Sequence, residues 1–285
     1  MNFKPCPLTQ EEVVSQADHF RSIALSLKLP AYLKTAFSCI DLTTLNATDT
    51  VSHVAGFTAK VNLFDLEFKG FPNVAAICVY PQMAGIVREN LASGAVKVAA
   101  VAGGFPQSMT FLEVKTEEAR LAVVHGADEI DIVLPLWAFL EGNFQYCQVE
   151  IAAIKKAIGD AHLKVILETG LLADPGKIWQ ASLLALEAGA DFIKTSTGKA
   201  AVSATPEAAV VMCSALRYWY EQTGELRGFK PAGGIVQTEE ALVYLAIVQG
   251  ILGDEWLNKQ LFRIGASRLA NHLLSDIQGR PVVHF

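Results

Sequence analysis

The sequence predicts an α/β fold: eight strand–helix units closed into a single (β/α)8 barrel, preceded by an extra N-terminal helical segment at residues 1–35. Three observations carry this. Short apolar runs alternate with longer amphipathic ones along almost the whole chain, the pattern of parallel strands joined by crossover helices. The alternation repeats eight times within 285 residues, long for a small domain and usual for one barrel of this kind. Hydrophobic residues make up 52% of the chain and charged residues 18%, enough apolar material for a parallel sheet buried on both faces. An open doubly wound sheet is the competing arrangement. No linker, low-complexity stretch or break in composition divides the chain, so residues 1–285 read as one domain.

The first segment, LTQEEVVSQADHFRSIALSLKL from Leu8, reads as a helix whose Thr9 and Glu12 have the spacing of a capping box. The runs read as strands are FSCIDLT from Phe37, VAAICVY from Val74, VKVAAVAG from Val96 and EIDIVLP from Glu129. They continue with LKVILET from Leu163, DFIKTST from Asp191, RGFKPAG from Arg227 and LFRIGAS from Leu261. Between them lie helical patterns such as QMAGIVRENLASG, TEEARLAVVHG, NFQYCQVEIAAIKKAIG, PGKIWQASLLALEAG and TPEAAVVMCSALRYWYEQTG, several ending in glycine as helix C-termini often do.

Composition narrows the function classes. A net charge of −6 argues against a nucleic-acid partner. Mean hydropathy is high at +0.32, yet no uninterrupted apolar run reaches membrane-spanning length. The five cysteines are scattered and form no CxxC pair, so neither a zinc site nor a disulfide framework is expected. The six histidines show no HxxH or HExxH spacing, and no metal is called for. The opening MNFKPCPLTQEEVVSQ lacks the apolar centre of a signal peptide, and a cytoplasmic location is the expectation.

Polar residues cluster late in the strand runs, the end of a barrel that carries chemistry. Asp41 and Thr43 end the first, Glu129 and Asp131 lie in the fourth, Lys164 and Glu168 in the fifth, Lys194 in the sixth and Lys230 in the seventh. Strand alternation puts Lys194 on one face with Phe192 and Ser196, and Lys164 on one face with Ile166 and Glu168. Bland readings stand beside these. Asp41 also suits a turn, Glu129 reads as a solvated or salt-bridged rim residue, Lys164 and Glu168 read as a pair across the barrel, and Cys78 as a small buried hydrophobe. A lone strand lysine is more often a rim residue that snorkels to water. Three lysines with one aspartate on neighbouring strands fit amine catalysis better. A lysine attacks a carbonyl only as the free amine, so its pKa must fall from about 10.4. Desolvation and a second ammonium, Lys230 beside Lys194, both act that way. Asp131 is placed to move protons through a water.

Three glycine-rich stretches follow the last three strand runs: TSTGKA from Thr195, KPAGGI from Lys230 and IGASR from Ile264. Small residues at helix starts expose backbone amides that bind phosphate.

With DLTTLN, AAICVYP, EIDIV and LKVILETG, the stretches DFIKTSTGKAA, GFKPAGGI and RIGAS closely resemble the 2-deoxyribose-5-phosphate aldolases, from about Asp41 to about Leu274. The resemblance implies a class I aldolase on a TIM barrel. Such an enzyme reversibly cleaves 2-deoxy-D-ribose 5-phosphate to D-glyceraldehyde 3-phosphate and acetaldehyde, with no metal or cofactor. It implies Lys194 as the Schiff-base lysine, Lys230 as the lysine that perturbs it, and Asp131 as the proton-relay carboxylate. Lys164 would be a further lysine of the site, and Asp41 and Thr43 contacts to sugar hydroxyls. Gly198, Lys199, Gly233, Gly234, Gly265 and Ser267 align with phosphate-site positions.

Two departures stand out. Val236 occupies the place, two residues after KPAGG, where bacterial members carry a base, and Phe285 stands where they often end in a tyrosine on a mobile tail. The first leaves Arg268 as a candidate replacement cation. A Schiff-base aldolase for another phosphorylated sugar, and a non-catalytic sugar-phosphate-binding barrel, are the alternatives. No nucleic-acid or membrane partner is expected, and a homodimer is the one assembly considered.

Overall fold

A short apolar strand needs partners on both edges for its backbone amides and cover for its side chains. In the computed structural model, which describes residues 4–285, eight such strands supply both for one another. They are β1 (Ile40–Thr43), β2 (Ala76–Val79), β3 (Lys97–Val101), β4 (Glu129–Val133), β5 (His162–Ile166), β6 (Phe192–Lys194), β7 (Gly228–Lys230) and β8 (Ile264–Ala266). Neighbours in sequence pair in parallel, and β8 pairs with β1. Bridges between Phe229 and Phe262, and between Ala232 and Gly265, join β7 to the β8 end of the chain. The sheet therefore closes on itself, which rules out the open doubly wound alternative.

Two helices precede the barrel, α1 (Gln10–Ala24) and α2 (Pro30–Ser38). The connections are α3 (Val51–Glu67), α4 (Ala84–Asn90), α5 (Leu112–Val124), a short α6 (Leu136–Leu140) with α7 (Phe144–Ile158), and a single-turn α8 (Thr169–Leu172) with α9 (Pro175–Glu187). They end with α10 (Pro206–Thr223), α11 (Thr238–Leu252) and α12 (Leu269–Gln278). The capping box forms: the amide of Glu12 donates to Thr9 Oγ1 at 3.3 Å and the amide of Thr9 to Glu12 Oε2 at 2.8 Å. α1 then packs on α10 and α11, with Phe20 over Gly250, where a Cβ would lie 2.4 Å from the ring. The first three residues of the predicted N-terminal extension lie outside the described residues.

Most strand boundaries shift by one to three residues, and in the first run the element type differs as well. The first strand run was expected from Phe37, but α2 continues through Ser38 and β1 begins at Ile40. Pro30 starts that helix in its first turn, and Leu33, Ala36 and Phe37 fall on its buried stripe. Short apolar runs do not by themselves distinguish a strand from the last turn of a helix. Among the described residues no helix is long and apolar enough to cross a membrane.

Parallel register turns paired residues to the same face. Asp41 pairs with Ala76, Cys78 with Ala99, Ala99 with Glu129, and Val101 with Asp131. Asp131 pairs in turn with Lys164, Lys164 with Phe192, Phe192 with Gly228, and Lys194 with Lys230. The barrel interior is thus divided. Ala76, Cys78, Ala99 and Val101 make a small apolar cluster with Leu45, and the charged side chains share the remaining inner surface with Phe192, Val133 and Ile166.

Gly228 is the tightest point of this interior. A Cβ there would sit 2.1 Å from Cε1 of Phe192, whose ring is fully buried. Overpacking of this kind costs about 1–3 kcal/mol. We therefore expect Gly228→Ala to lower Tm by roughly 2–10 °C. A thermal melt unchanged from wild type would show that the ring moves aside freely.

Candidate active site

Five strands, with Arg263 just before β8, bring seven charged side chains into the barrel, all nearly or fully buried: Asp41, Glu129, Asp131, Lys164, Lys194, Lys230 and Arg263. Asp131 is the hub. Its Oδ2 accepts from Lys194 Nζ and from Lys230 Nζ, each at 2.7 Å, and its Oδ1 from Lys164 Nζ at 2.9 Å. Lys230 Nζ also donates to Asp41 Oδ2 at 2.5 Å. Lys164 Nζ lies 2.6 Å from Glu129 Oε2 and 3.7 Å from Asp41 Oδ2. Arg263 closes the far side, forking onto Glu129 at 2.7 and 3.0 Å and reaching Asp41 Oδ1 at 2.6 Å.

Burial penalises every charge here, and the partners decide which survive. Lys164 faces three carboxylates and Lys230 two, and both amines are held above the usual lysine value against their burial. Asp131, despite its burial, is held well below the carboxylate range by the ammonium groups of Lys164, Lys194 and Lys230. Lys194 has Asp131 as its one carboxylate partner. Burial, and then the ammonium of Lys230, outweigh that partner and push Lys194 below the ordinary lysine value. Of the three lysines, Lys194 is therefore the one whose pKa is pushed down. The expected like-charge pair is present, and burial is the larger of the two causes.

Lys194 also reaches a cavity of about 250 Å³ at the mouth of the barrel. The three glycine-rich stretches converge on it. Gly198 and Lys199 come from the first, Gly233 and Gly234 from the second, and Gly265, Ser267 and Arg268 from the third. Thr43 lines it as well, with its hydroxyl donating to the Asp41 carbonyl at 2.7 Å. Gly233 has φ +84, and a Cβ there would lie 2.9 Å from Cα of Gly198, so this close approach of two loops requires glycine. Gly265 leaves room for the Lys230 side chain, whose Cε would be 3.2 Å from a Cβ there. Among the described residues no protein acceptor faces the amides of Gly198, Gly234 and Ser267. Lys199 Nζ donates to the Leu45 carbonyl at 2.6 Å, so it stays at the cavity wall.

Other expected residues sit elsewhere. Asp41, Asp131, Lys164 and Lys230 lie beneath the cavity and form no part of its wall. Phe285 packs on Phe37 and Phe64 on the outer helices, with its amide and carbonyl both bonded to Asn271, and is not part of the cavity.

Two readings are corrected. Glu129 is salt-bridged, to Lys164 and Arg263, but not at the rim: it is 2% exposed. Lys164 and Glu168 do not pair. Glu168 lies beyond the end of β5 with φ +52, so strand alternation no longer governs it. Its carboxylate accepts from the Thr197 hydroxyl at 2.5 Å and from the Thr197 amide. Arg263 was not singled out by sequence. Its signal was the one that marked Lys194, a cation inside an apolar strand run, here LFRIGAS.

Comparison with known proteins gives concordant results. The DeoC/LacD family aldolase profile matches residues 35–254. The chain is 44% identical over 265 residues to the deoxyribose-phosphate aldolase of Homo sapiens, covering 89% of this chain and 81% of that protein. The Mus musculus deoxyribose-phosphate aldolase is 45% identical over the same span and coverage. Among solved structures, an aldolase designated QR15 superposes with a TM-score of 0.70 at 28% identity, covering 85% of this chain and 96% of that one.

The shared Oδ2 of Asp131 makes a measurable prediction. Lys230→Leu removes an ammonium and leaves that oxygen to Lys194 alone, and both changes favour the protonated form of Lys194. The pH midpoint for trapping acetaldehyde on Lys194 with cyanoborohydride should rise by about one unit. An unshifted profile would mean that burial alone lowers the Lys194 pKa.

Proposed function

The chain belongs to the DeoC/LacD family of aldolases, and on that premise we propose that it is a class I aldolase reversibly cleaving 2-deoxy-D-ribose 5-phosphate to D-glyceraldehyde 3-phosphate and acetaldehyde. The observation that carries the reading is Lys194. It is a buried lysine with a depressed pKa and a single carboxylate partner, at the base of a cavity bordered by three amide-rich loops.

The chemistry follows from that placement. Lys194 Nζ attacks the C1 aldehyde of the open-chain sugar, and the carbinolamine loses water to give a protonated imine. As the C3 hydroxyl gives up its proton, the C2–C3 bond breaks and its electrons flow to the imine nitrogen. Glyceraldehyde 3-phosphate leaves and an enamine remains on Lys194. Protonation of the enamine at C2, followed by hydrolysis, releases acetaldehyde and restores the amine. The imine carries its positive charge where an ammonium would stand, beside Asp131, so the fixed carboxylate favours the cationic states of the cycle. Lys230, hydrogen-bonded to the same Asp131 oxygen, is a proton source beside Lys194.

The rim supplies the phosphate site. Val236 lines the cavity without charge, but Arg268 and Lys199 line it too, and Arg268 makes no ion pair among the described residues. With the free amides of Gly198, Gly234 and Ser267 they form a cationic, donor-rich rim for one dianion. This favours a phosphorylated sugar and leaves little motive for a different substrate class. The same reading takes the chain as one catalytic domain in a reducing cytoplasm, which its free cysteines suit.

Two variants test the assignment. Lys194→Arg keeps the charge but offers no free amine at neutral pH, so turnover and the trapped adduct should both vanish. An active variant with an adduct elsewhere would place the nucleophile on another residue, and a wild-type chain that forms no adduct would be a binding protein. Arg268→Ala should raise KM for deoxyribose 5-phosphate about ten- to a hundredfold, the worth of one charge-assisted hydrogen bond, with little change on unphosphorylated deoxyribose. Equal losses on both substrates would make Arg268 structural.

A further inference from the structure

Arg263 takes no part in the cavity, yet it is 4% exposed and fully engaged. Its guanidinium lies 5.7 Å from the Phe192 ring centroid, its Nε donates to the Lys259 carbonyl, and its terminal nitrogens hold Glu129 and Asp41. Every carboxylate of the cluster except Asp131 is therefore bound to Arg263. Resting on the aldolase reading of Lys194, we propose that Arg263 is a positioning residue of the catalytic centre. It holds Asp41 against Lys230 and Glu129 against Lys164, and so leaves Lys194 with Asp131 alone.

The charge count supports this. Lys164, Lys194, Lys230 and Arg263 face Asp41, Glu129 and Asp131, four cations against three anions. In a dry interior the excess proton leaves the least compensated site. The groups that act on Lys194 are Asp131 on β4, Lys230 on β7 and the Cys78 thiol on β2, which burial keeps protonated. None of these distinguishes Lys194 from Lys230 as sharply as Asp41 does, because Asp41 bonds Lys230 and not Lys194. Arg263 is what fixes that carboxylate.

The two ends of the Arg263–Glu129 fork give opposite predictions. Arg263→Met removes a cation and frees Asp41 for Lys230. Lys230 then relaxes its hold on Asp131, and Asp131 turns to Lys194. Both effects favour the Lys194 ammonium. Glu129→Gln removes an anion and leaves Lys164 more dependent on Asp131, which disfavours it.

The experiment is the pH profile of cyanoborohydride trapping of acetaldehyde on Lys194 in the full-length protein, read by mass spectrometry of the Lys194 peptide. The midpoint should rise by about one unit in Arg263→Met and fall by a similar amount in Glu129→Gln. A merely structural role would admit water in both variants and move both midpoints upward, toward that of an ordinary lysine. Two upward shifts, or none, would overturn the proposal. Circular dichroism checks folding; if Arg263→Met does not fold, the sign of the Glu129→Gln shift decides. A wild-type chain with no adduct at Lys194 would instead sink the aldolase reading itself, a result distinct from unmoved midpoints.

Discussion

Asp131 is the interaction on which the rest depends. One buried carboxylate accepts hydrogen bonds from three lysines, and no arrangement of a dry barrel can satisfy them equally. Burying a single ion costs several kcal/mol unless partners offset it. Asp41 and Glu129 offset the cost for Lys230 and Lys164, and Arg263 offsets theirs. Lys194 is left with the least compensation, and that shortage, with its burial, holds it below the ordinary lysine pKa. The site's function is thus a residue of unequal electrostatic bookkeeping rather than a property of lysine itself.

The barrel makes such an imbalance sustainable. Closed parallel register places the charged residues of β1, β4, β5, β6 and β7 around one axis, so each carboxylate serves two or more cations. The small side chains of β2 and β3 form an apolar wall on the other side. That wall keeps water out and so keeps the field strong at Lys194. The outward faces of the strands and the inward faces of the surrounding helices make up the main core.

The cavity solves a different problem with different means. The buried ions below are held by charged side chains, whereas the rim relies on backbone amides released by glycine. At Gly233 the backbone comes so near Gly198 that no side chain fits between them. The result is a mouth lined by backbone amides and two cations, Lys199 and Arg268, above a deep cluster whose charges balance when Lys194 is unprotonated.

Much of this was legible in the sequence. Hydrophobic periodicity determined the eight strand–helix units, because alternation and amphipathicity are local consequences of burial. Lysines inside apolar runs marked Lys194, Lys164 and Lys230, because an ammonium in such a place demands a reason. The glycine-rich loops were legible for the same kind of reason, positive φ and close approach. Tertiary structure decided what depends on more than one segment at once. It ended α2 at Ser38, where FSC read as strand, because helix packing claimed Phe37. It drew Glu129 inward to Lys164 and Arg263, and it turned Glu168 away to Thr197, because barrel register and the backbone reversal after β5 set their partners. Which of three similar lysines is least compensated was likewise not local. It is fixed by how many carboxylates from other strands each one meets, and only the closed barrel sets that number.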